Sequence, residues 1–380
     1  MLPAASVPAG RAHRFRLADV LPNCLDALDG RRGPLGLEPV THALVVLVDG
    51  LGLAALTERR GHARTLASRL DRDPAIDATF PTTTASALAS LATGVDPGRH
   101  GLVGYTAPGP DGRVVNHLNG WDDGSLPTSW QRMPTVFERA TAAGHRAIAI
   151  GPPRYRDSGF SAAVLRGAEY VGASSMAERF DRAREVLAGG SALVYLYVPE
   201  LDTAAHARGW QSDAWVAALE ELDAALGGFV PALGPRDGLL VTADHGVVDV
   251  PHDDQVIVDP ELLTGVVAVA GEPRCLQLHL APGADPAADA GAADRLAAAW
   301  RAHEGKRAWV ATRAEAIAAG WFGEVDPEVV PRIGDVLVAA RVRVAYYVDP
   351  EDRGRRMIGQ HGSLSPEERT IPLLRFARWS

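Results

Sequence analysis

The chain has 380 residues, 47% of them hydrophobic and 22% charged, with a formal net charge of −9. That balance belongs to a globular protein with a sizeable core; with no block of Lys and Arg, it excludes a disordered chain and an electrostatic binder of nucleic-acid duplexes. Cys24 and Cys275 stand in unrelated contexts, with no CxxC and no Cys/His zinc spacing, so neither a disulfide framework nor a thiolate metal site is expected.

Residues 1–40 carry Arg11, Arg14 and Arg16 but no apolar stretch long enough for a signal-peptide core. No later run reaches the roughly 20 apolar residues of a membrane span. The expectation is an N-terminal extension on a cytoplasmic protein without membrane contact. A continuous apolar run, Ala43 to Val48, then leads into Asp49, a glycine turn and a helical pattern. The same grammar recurs in "SALVYLYVPELDTAAH" and in "DGLLVTADHG". Apolar runs flanked by helical patterns suit strands of a sheet covered on both faces. Between them "PTVFERATAAG", "SMAERFDRAREVLAGG" and "SDAWVAALEELDAALGGFV" read as helices, the last with Trp215, Leu219, Leu222 and Leu226 on one stripe. The fold class is α/β, with a central, mixed but mostly parallel sheet.

From 251 to 350 the texture changes. "VVAVAGEPRCLQLHLAPG" reads as two strands around a Glu-Pro turn, "ADRLAAAWRAHEG" and "RAEAIAAGWFG" as helices, and "GDVLVAARVRVAYYV" as a strand or pair. A Gly/Pro/Ala-rich stretch, "APGADPAADAGAAD", reads as a loop leading into a helix. A small α+β insertion or cap over 251–350, within a core of 41–250 and 351–380, accounts for this order.

Ligands in such sheets gather beyond the carboxyl ends of the strands. There stand Asp49, then Asp202 and His206, then Asp244 and His245, with His361 in "GQHGSLS". Three carboxylates and three imidazoles suit paired zinc ions, and manganese accepts the same ligands. Asp202 and His206, four apart, can meet on one helical turn. Asp244 and His245 are adjacent and can share an ion only on a turn, which Gly246 permits.

These residues, with "VDG", "FPTTTASALASLATGVDPGRHG", "PELDTAAHARG", "TADHG" and "GQHG" in that order, resemble the type I phosphodiesterases and nucleotide pyrophosphatases of the alkaline phosphatase superfamily. The resemblance runs from about Ala43 to Gly362 and implies an alkaline-phosphatase-like sandwich. It implies that Asp202, His206 and His361 hold one zinc. Asp49, Asp244 and His245 would hold the other, together with the hydroxyl of a nucleophile, Thr84. On residue type alone Thr84 would be an ordinary cap for a helix beginning near Ala85; the resemblance makes it the group that attacks phosphorus and carries a phosphothreonine intermediate. The expected substrate is a small phosphoryl compound, with a nucleotide among the candidates.

There are two departures from the relatives. Thr83 precedes the nucleophile where many relatives have lysine. Ala85, Ser86 and Ala87 stand where the resemblance leads one to expect Phe-Pro-Asn, so position 87 cannot donate to a phosphoryl oxygen. Ser86, Tyr105, Asn116 and Asn119 are the candidates for substrate contact. Phosphomonoesterases of the superfamily follow a nucleophilic serine with a phosphate-clamping arginine; Ala85 favours a diester or pyrophosphate instead. The alternatives are a monoester or phosphonate hydrolase of the same superfamily and a non-catalytic metal-binding protein. His100 is expected to be structural, His252 to lie in a solvated loop, and Trp121 and Trp130 either to fill a core or to border the pocket.

Overall fold

The apolar runs form the middle of a seven-stranded sheet. Its strands stand in the order Ala75–Asp77, Thr370–Ala377, Asp237–Ala243, His42–Val48, Ala192–Val198, Arg146–Gly151 and Glu169–Gly172. From Asp237–Ala243 onward all neighbours are parallel, while Thr370–Ala377 runs antiparallel to the strands on either side of it. All seven residues of His42–Val48 are buried, as a strand covered on both faces requires. The computed structural model describes residues 7–70, 74–281 and 286–380, with residues 286–290 described by backbone alone.

Helices cover the sheet where periodicity places them. In Asp213–Phe229 the residues Trp215, Leu219, Leu222, Leu226 and Phe229 are all buried, and the Ser212 side chain caps the first turn by accepting from Trp215 N–H. Thr135 with Glu138, and Ser175 with Glu178, form capping boxes at the starts of Val136–Ala142 and Met176–Leu187. Residues expected to form an N-terminal extension are part of this core: Leu17, Val20, Leu21 and Cys24 are fully buried in it. Among the described residues no helix is long and apolar enough to cross a membrane.

A second sheet has six strands in the order Ala308–Thr312, Val336–Ala340, Cys275–Leu280, Val266–Glu272, Thr106–Pro108 and Val114–Asn116. The first four come from the expected insertion, and the Glu-Pro turn joins an antiparallel pair as read. The last two come from the segment after the nucleophile, so this sheet crosses the boundary expected at 251. "GDVLVAARVRVAYYV" splits into two strands that do not pair with each other, since Ala345–Tyr347 joins Gln255–Ile257 in a separate two-stranded sheet. The expected helix at "ADRLAAAWRAHEG" is longer, Pro286–Glu304, and part of the loop read before it, 282–285, lies outside the described residues.

Candidate active site and metal centre

Register brings the candidate ligands to one level. Val48 lies opposite Val198 on one side and Ala243 on the other, so the chain leaves three parallel strands at the same height. Asp49 and Asp244 are the next residues of two of them. The third strand turns through Pro199 into the helix Glu200–Arg208, whose first and second turns present Asp202 and His206. Asp244 and His245 lie just past the end of their strand, free of its alternation. Gly246 serves by absence of bulk: a Cβ there would stand 2.0 Å from the Glu367 carbonyl oxygen.

The three histidines share one arrangement. His206 Nδ1 lies 2.7 Å from the Gly359 carbonyl oxygen, His361 Nδ1 2.7 Å from that of Thr82, and His245 Nδ1 3.2 Å from that of Gly246. A backbone carbonyl accepts from Nδ1–H in each case, which leaves Nε2 as the free lone pair, as ligating imidazoles are held. Those Nε2 atoms face carboxylates. His245 Nε2 is 3.5 Å from Asp49 Oδ1 and 3.4 Å from Asp244 Oδ2; His206 Nε2 is 3.1 Å from Asp202 Oδ2, and His361 Nε2 is 3.9 Å from Asp202 Oδ1. The His245 and His361 rings stack at 3.7 Å.

Electrostatics show that this cluster calls for positive charge. Burial pushes the Asp49 carboxyl well above its ordinary range, with the charges of Asp244 and Asp202 adding to the effect and a hydrogen bond from Tyr197 OH opposing it. Burial also raises Asp244. At Asp202 burial acts in the same direction but is outweighed, chiefly by His206, so its carboxyl is held below the usual range. In return His206 is pushed up to about 8 against its own burial, while burial and the neighbouring His245 hold His361 well below its ordinary value. Asp49 Oδ1, Asp202 Oδ1 and Asp244 Oδ2 are buried without a hydrogen-bond partner. Three unpartnered carboxylate oxygens converging with the Nε2 atoms of His245 and His361 fit divalent cations, with His206 paired to the other oxygen of Asp202 beside them.

Two sets of ligand atoms lie within 4.8 Å of one another: Asp49, Asp244 and His245, and Asp202, His245 and His361. The first is the set expected. In the second His245 takes the place expected for His206, whose Nε2 is turned to the other oxygen of Asp202.

Thr84 is the first residue of the helix Thr84–Thr93, one position earlier than expected, and Thr83 is the residue before it in extended conformation. The Thr84 hydroxyl therefore does not cap the helix. Its Oγ1 lies 3.3 Å from His245 Nε2, beside the Asp49 set. A cleft of about 320 Å³ opens here; Thr84, Asp49, Asp202, His206, His361, Tyr105, Tyr155 and Glu272 are among the residues that line it.

Of the residues expected to touch substrate, only Tyr105 lines the cleft. Ser86 is fully buried and donates to the Leu102 carbonyl, because the helical turn carries it away from Thr84. Asn116 folds its side chain onto Leu118 N–H and Asn119 N–H, closing a turn, and Asn119 is exposed; the turn sends Leu118 into the cleft instead. Ala87 is fully buried in the main core, so a donor at that position would not face the cleft. His100 is buried against Ser90 Oγ and Leu102 N–H, a structural role. His252 meets Arg355 at the surface, and Trp121 and Trp130 both bond His117 and pack with the main core. Glu272 also lines the cleft, almost wholly buried, and a lone Glu before Pro in a turn carries no sign in the sequence that it will be buried.

Comparison with known proteins agrees with this architecture. The family model described as type I phosphodiesterase/nucleotide pyrophosphatase matches residues 43–364. Among solved structures, an inactive variant of murine ectonucleotide pyrophosphatase/phosphodiesterase 5 in complex with AMP is similar at a TM-score of 0.65 and 16% identity, covering 88% of both chains. The human ectonucleotide pyrophosphatase/phosphodiesterase 5 gives 0.65 and 16%, covering 88% of this chain and 87% of that one. Phosphonoacetate hydrolase from Sinorhizobium meliloti 1021 in complex with phosphonoformate gives 0.67 and 18%, covering 89% and 91%. A search of curated proteins finds no match. The fold is therefore alkaline-phosphatase-like.

Proposed function

Because the chain belongs to the type I phosphodiesterase/nucleotide pyrophosphatase family, we propose that it hydrolyses phosphodiester or pyrophosphate bonds of a small substrate through Thr84 with two bound zinc ions. The observation that carries this reading is the Thr84 hydroxyl, 3.3 Å from His245 Nε2 at the edge of the ligand cluster of Asp49, Asp202, Asp244, His245 and His361. Asp49, Asp244 and His245 would hold one ion; Asp202 and His361, with His206 beside them, would hold the other. When bound, such ions lower the pKa of a coordinated hydroxyl and neutralise charge developing on phosphoryl and leaving oxygens.

The chain's own part is positioning. Thr84 opens a helix whose first N–H groups have no intrahelical acceptor, so donors and the positive end of the helix dipole face an incoming phosphoryl group. Thr84 Oγ1 forms a bond to phosphorus as the ester bond to the leaving group breaks; water then cleaves the phosphothreonine and restores the hydroxyl. Tyr105, Tyr155, Leu118 and Met357 form an outer wall for the organic part of the substrate. Among the described residues lining the cleft there is no Lys or Arg. A monoester dianion or a carboxylate-bearing phosphonate would find no clamp there, which favours the diester.

The test is hydrolysis of bis(4-nitrophenyl) phosphate beside 4-nitrophenyl phosphate, by zinc-loaded, chelator-stripped and Thr84→Ala protein. Metal-dependent and Thr84-dependent preference for the diester is expected. A preference for the monoester moves the enzyme to a phosphatase reading, and equal rates with and without Thr84 remove the proposed nucleophile.

A further inference from the structure

Three consecutive threonines lead into the helix Thr84–Thr93, and their hydroxyls meet three different fates. Thr82 Oγ1 donates to the Ser363 carbonyl at 2.8 Å and accepts from Gly362 N–H at 3.0 Å, which ties it to the loop carrying His361. Thr84 Oγ1 stands 3.3 Å from His245 Nε2. Thr83, between them, is the N-cap of the helix, in the extended conformation from which a Thr hydroxyl ordinarily accepts from an N–H of the first turn. It makes no such bond, and among the described residues its hydroxyl has no other partner. Thr83 is 1% exposed, yet it lines the cleft together with Thr84, Asp49, Asp202 and His361. Unlike Glu272 Oε1, its Oγ1 is not sealed from solvent, so an oxygen atom entering the cleft can touch it.

The backbone fixes where this hydroxyl stands. The carbonyl of the residue before it holds His361 Nδ1 at 2.7 Å, the hydroxyl of the residue after it faces His245, and those two rings stack at 3.7 Å. Neighbouring Cα atoms are about 3.8 Å apart, so Thr83 adjoins both the attacking oxygen and the support of a metal ligand. The other hydroxyls lining the cleft stand on other elements. Tyr197 donates to Asp49, Thr203 donates to the Pro199 carbonyl, Tyr155 accepts from Arg154, and Tyr105 is 37% exposed. We propose that Thr83 donates a hydrogen bond from Oγ1 to a non-bridging phosphoryl oxygen of the bound substrate, beside the free N–H groups of the first helical turn. This rests on the phosphoryl-transfer reading above. It supplies, from the residue next to the nucleophile, the donor that position 87 lacks, and an uncharged donor suits the single charge of a diester.

The experiment compares wild type, Thr83→Val and Thr83→Ser, all zinc-loaded. Val keeps the shape and the extended backbone of Thr without the hydroxyl; Ser keeps the hydroxyl. Four quantities are read: kcat/KM on bis(4-nitrophenyl) phosphate, calorimetric binding of inorganic phosphate, the urea midpoint and the zinc content. Loss of one preorganised donor predicts a fall of about 10²-fold in kcat/KM for Val and phosphate binding weaker by about 3–10-fold. Ser should recover most of both losses. The urea midpoint and zinc content of Val should not fall, because the hydroxyl makes no bond within the protein. Phosphate binding unchanged in Val, or a Ser variant as impaired as Val, overturns the proposal. A loss in Val that comes with a lower urea midpoint or missing zinc assigns Thr83 to capping or ligand support and overturns it equally. Should Val not fold, Thr83→Ala is read by the same criteria. If the enzyme shows no Thr84-dependent turnover, the phosphoryl-transfer reading fails, while phosphate binding still judges Thr83; a zinc-loaded wild type that binds no phosphate overturns both.

Discussion

Replacing Arg274 by Met should destabilise the protein by about 3–5 kcal/mol, the range for removing one partner of a buried ion pair. Arg274 and Glu368 are both fully buried and joined twice, Nε to Oε1 at 2.8 Å and Nη2 to Oε2 at 2.7 Å. The same guanidinium donates to the Val342 and Val344 carbonyls at 3.0 and 2.7 Å. Without it Glu368 keeps only Ser363 N–H, at 2.9 Å, and is left fully buried with no counter-charge. The double variant Arg274→Met/Glu368→Gln removes both charges and should recover much of the loss, so a double-mutant cycle in urea should give a coupling of at least about 2 kcal/mol. The effect should reach the metals as well. The Glu368 carbonyl accepts from Gly246 N–H at 2.8 Å, and Ser363 lies two residues past His361; removing such outer support costs about 10–100-fold in metal affinity. A loss under about 1 kcal/mol together with unchanged zinc affinity would refute the view that this pair holds both ligand loops.

The remaining tests are direct. Thr84→Ala should abolish diester turnover while elemental analysis still finds both metals; wild-type rates would remove Thr84 from the chemistry. His361→Ala should deplete one metal per chain, and unchanged stoichiometry would refute its role as ligand. Ala87→Asn should raise no activity and should destabilise by about 1–3 kcal/mol through overpacking of a filled core, as read by the urea midpoint. Glu272 also gives a pH test. Its folded value of about 8 lies above the ordinary 4.5, so the folded state binds more protons between those values and stability from this group is lost as pH rises through them. The stability advantage of Glu272→Gln over wild type should therefore be near zero at pH 4 and grow to a plateau above about pH 8, with a ceiling of about 5 kcal/mol. A pH-independent difference between the two proteins would refute the shift.

What could be read from sequence was whatever follows from local pattern or from a short motif in fixed order. The run Ala43 to Val48 announces a buried strand because a sheet covered on both faces leaves no polar position, and the stripe of Trp215, Leu219, Leu222 and Leu226 announces a helix because four residues nearly complete its turn. Asp49, Asp202, His206, Asp244, His245 and His361 were visible because they follow strand ends or repeat a known order. The substrate wall was not, since it depends on side-chain direction. Ser86 differs from Thr84 by two helical positions, enough to send one hydroxyl into the core and the other into the cleft. Asn116 spends its acceptor on its own turn, the habit that favours Asn in turns.

The second sheet acts on the site through one turn. Glu272 ends one of two antiparallel strands, and Pro273 and Arg274 form the turn to the next; the first two residues line the cleft, and the third locks Glu368 beneath both ligand loops. A hairpin tip that only closed a sheet would be solvated and tolerant of change. This one is buried at both charged positions, one carboxyl left without a cation and one guanidinium matched to a carboxylate in the main domain. Packing of the second sheet onto the core and readiness of the metal loops are thus coupled through adjacent residues. An insertion that reaches the chemistry through so short a segment can vary elsewhere without disturbing the ligands, while substitutions at 272 and 274 should alter substrate binding and metal retention separately.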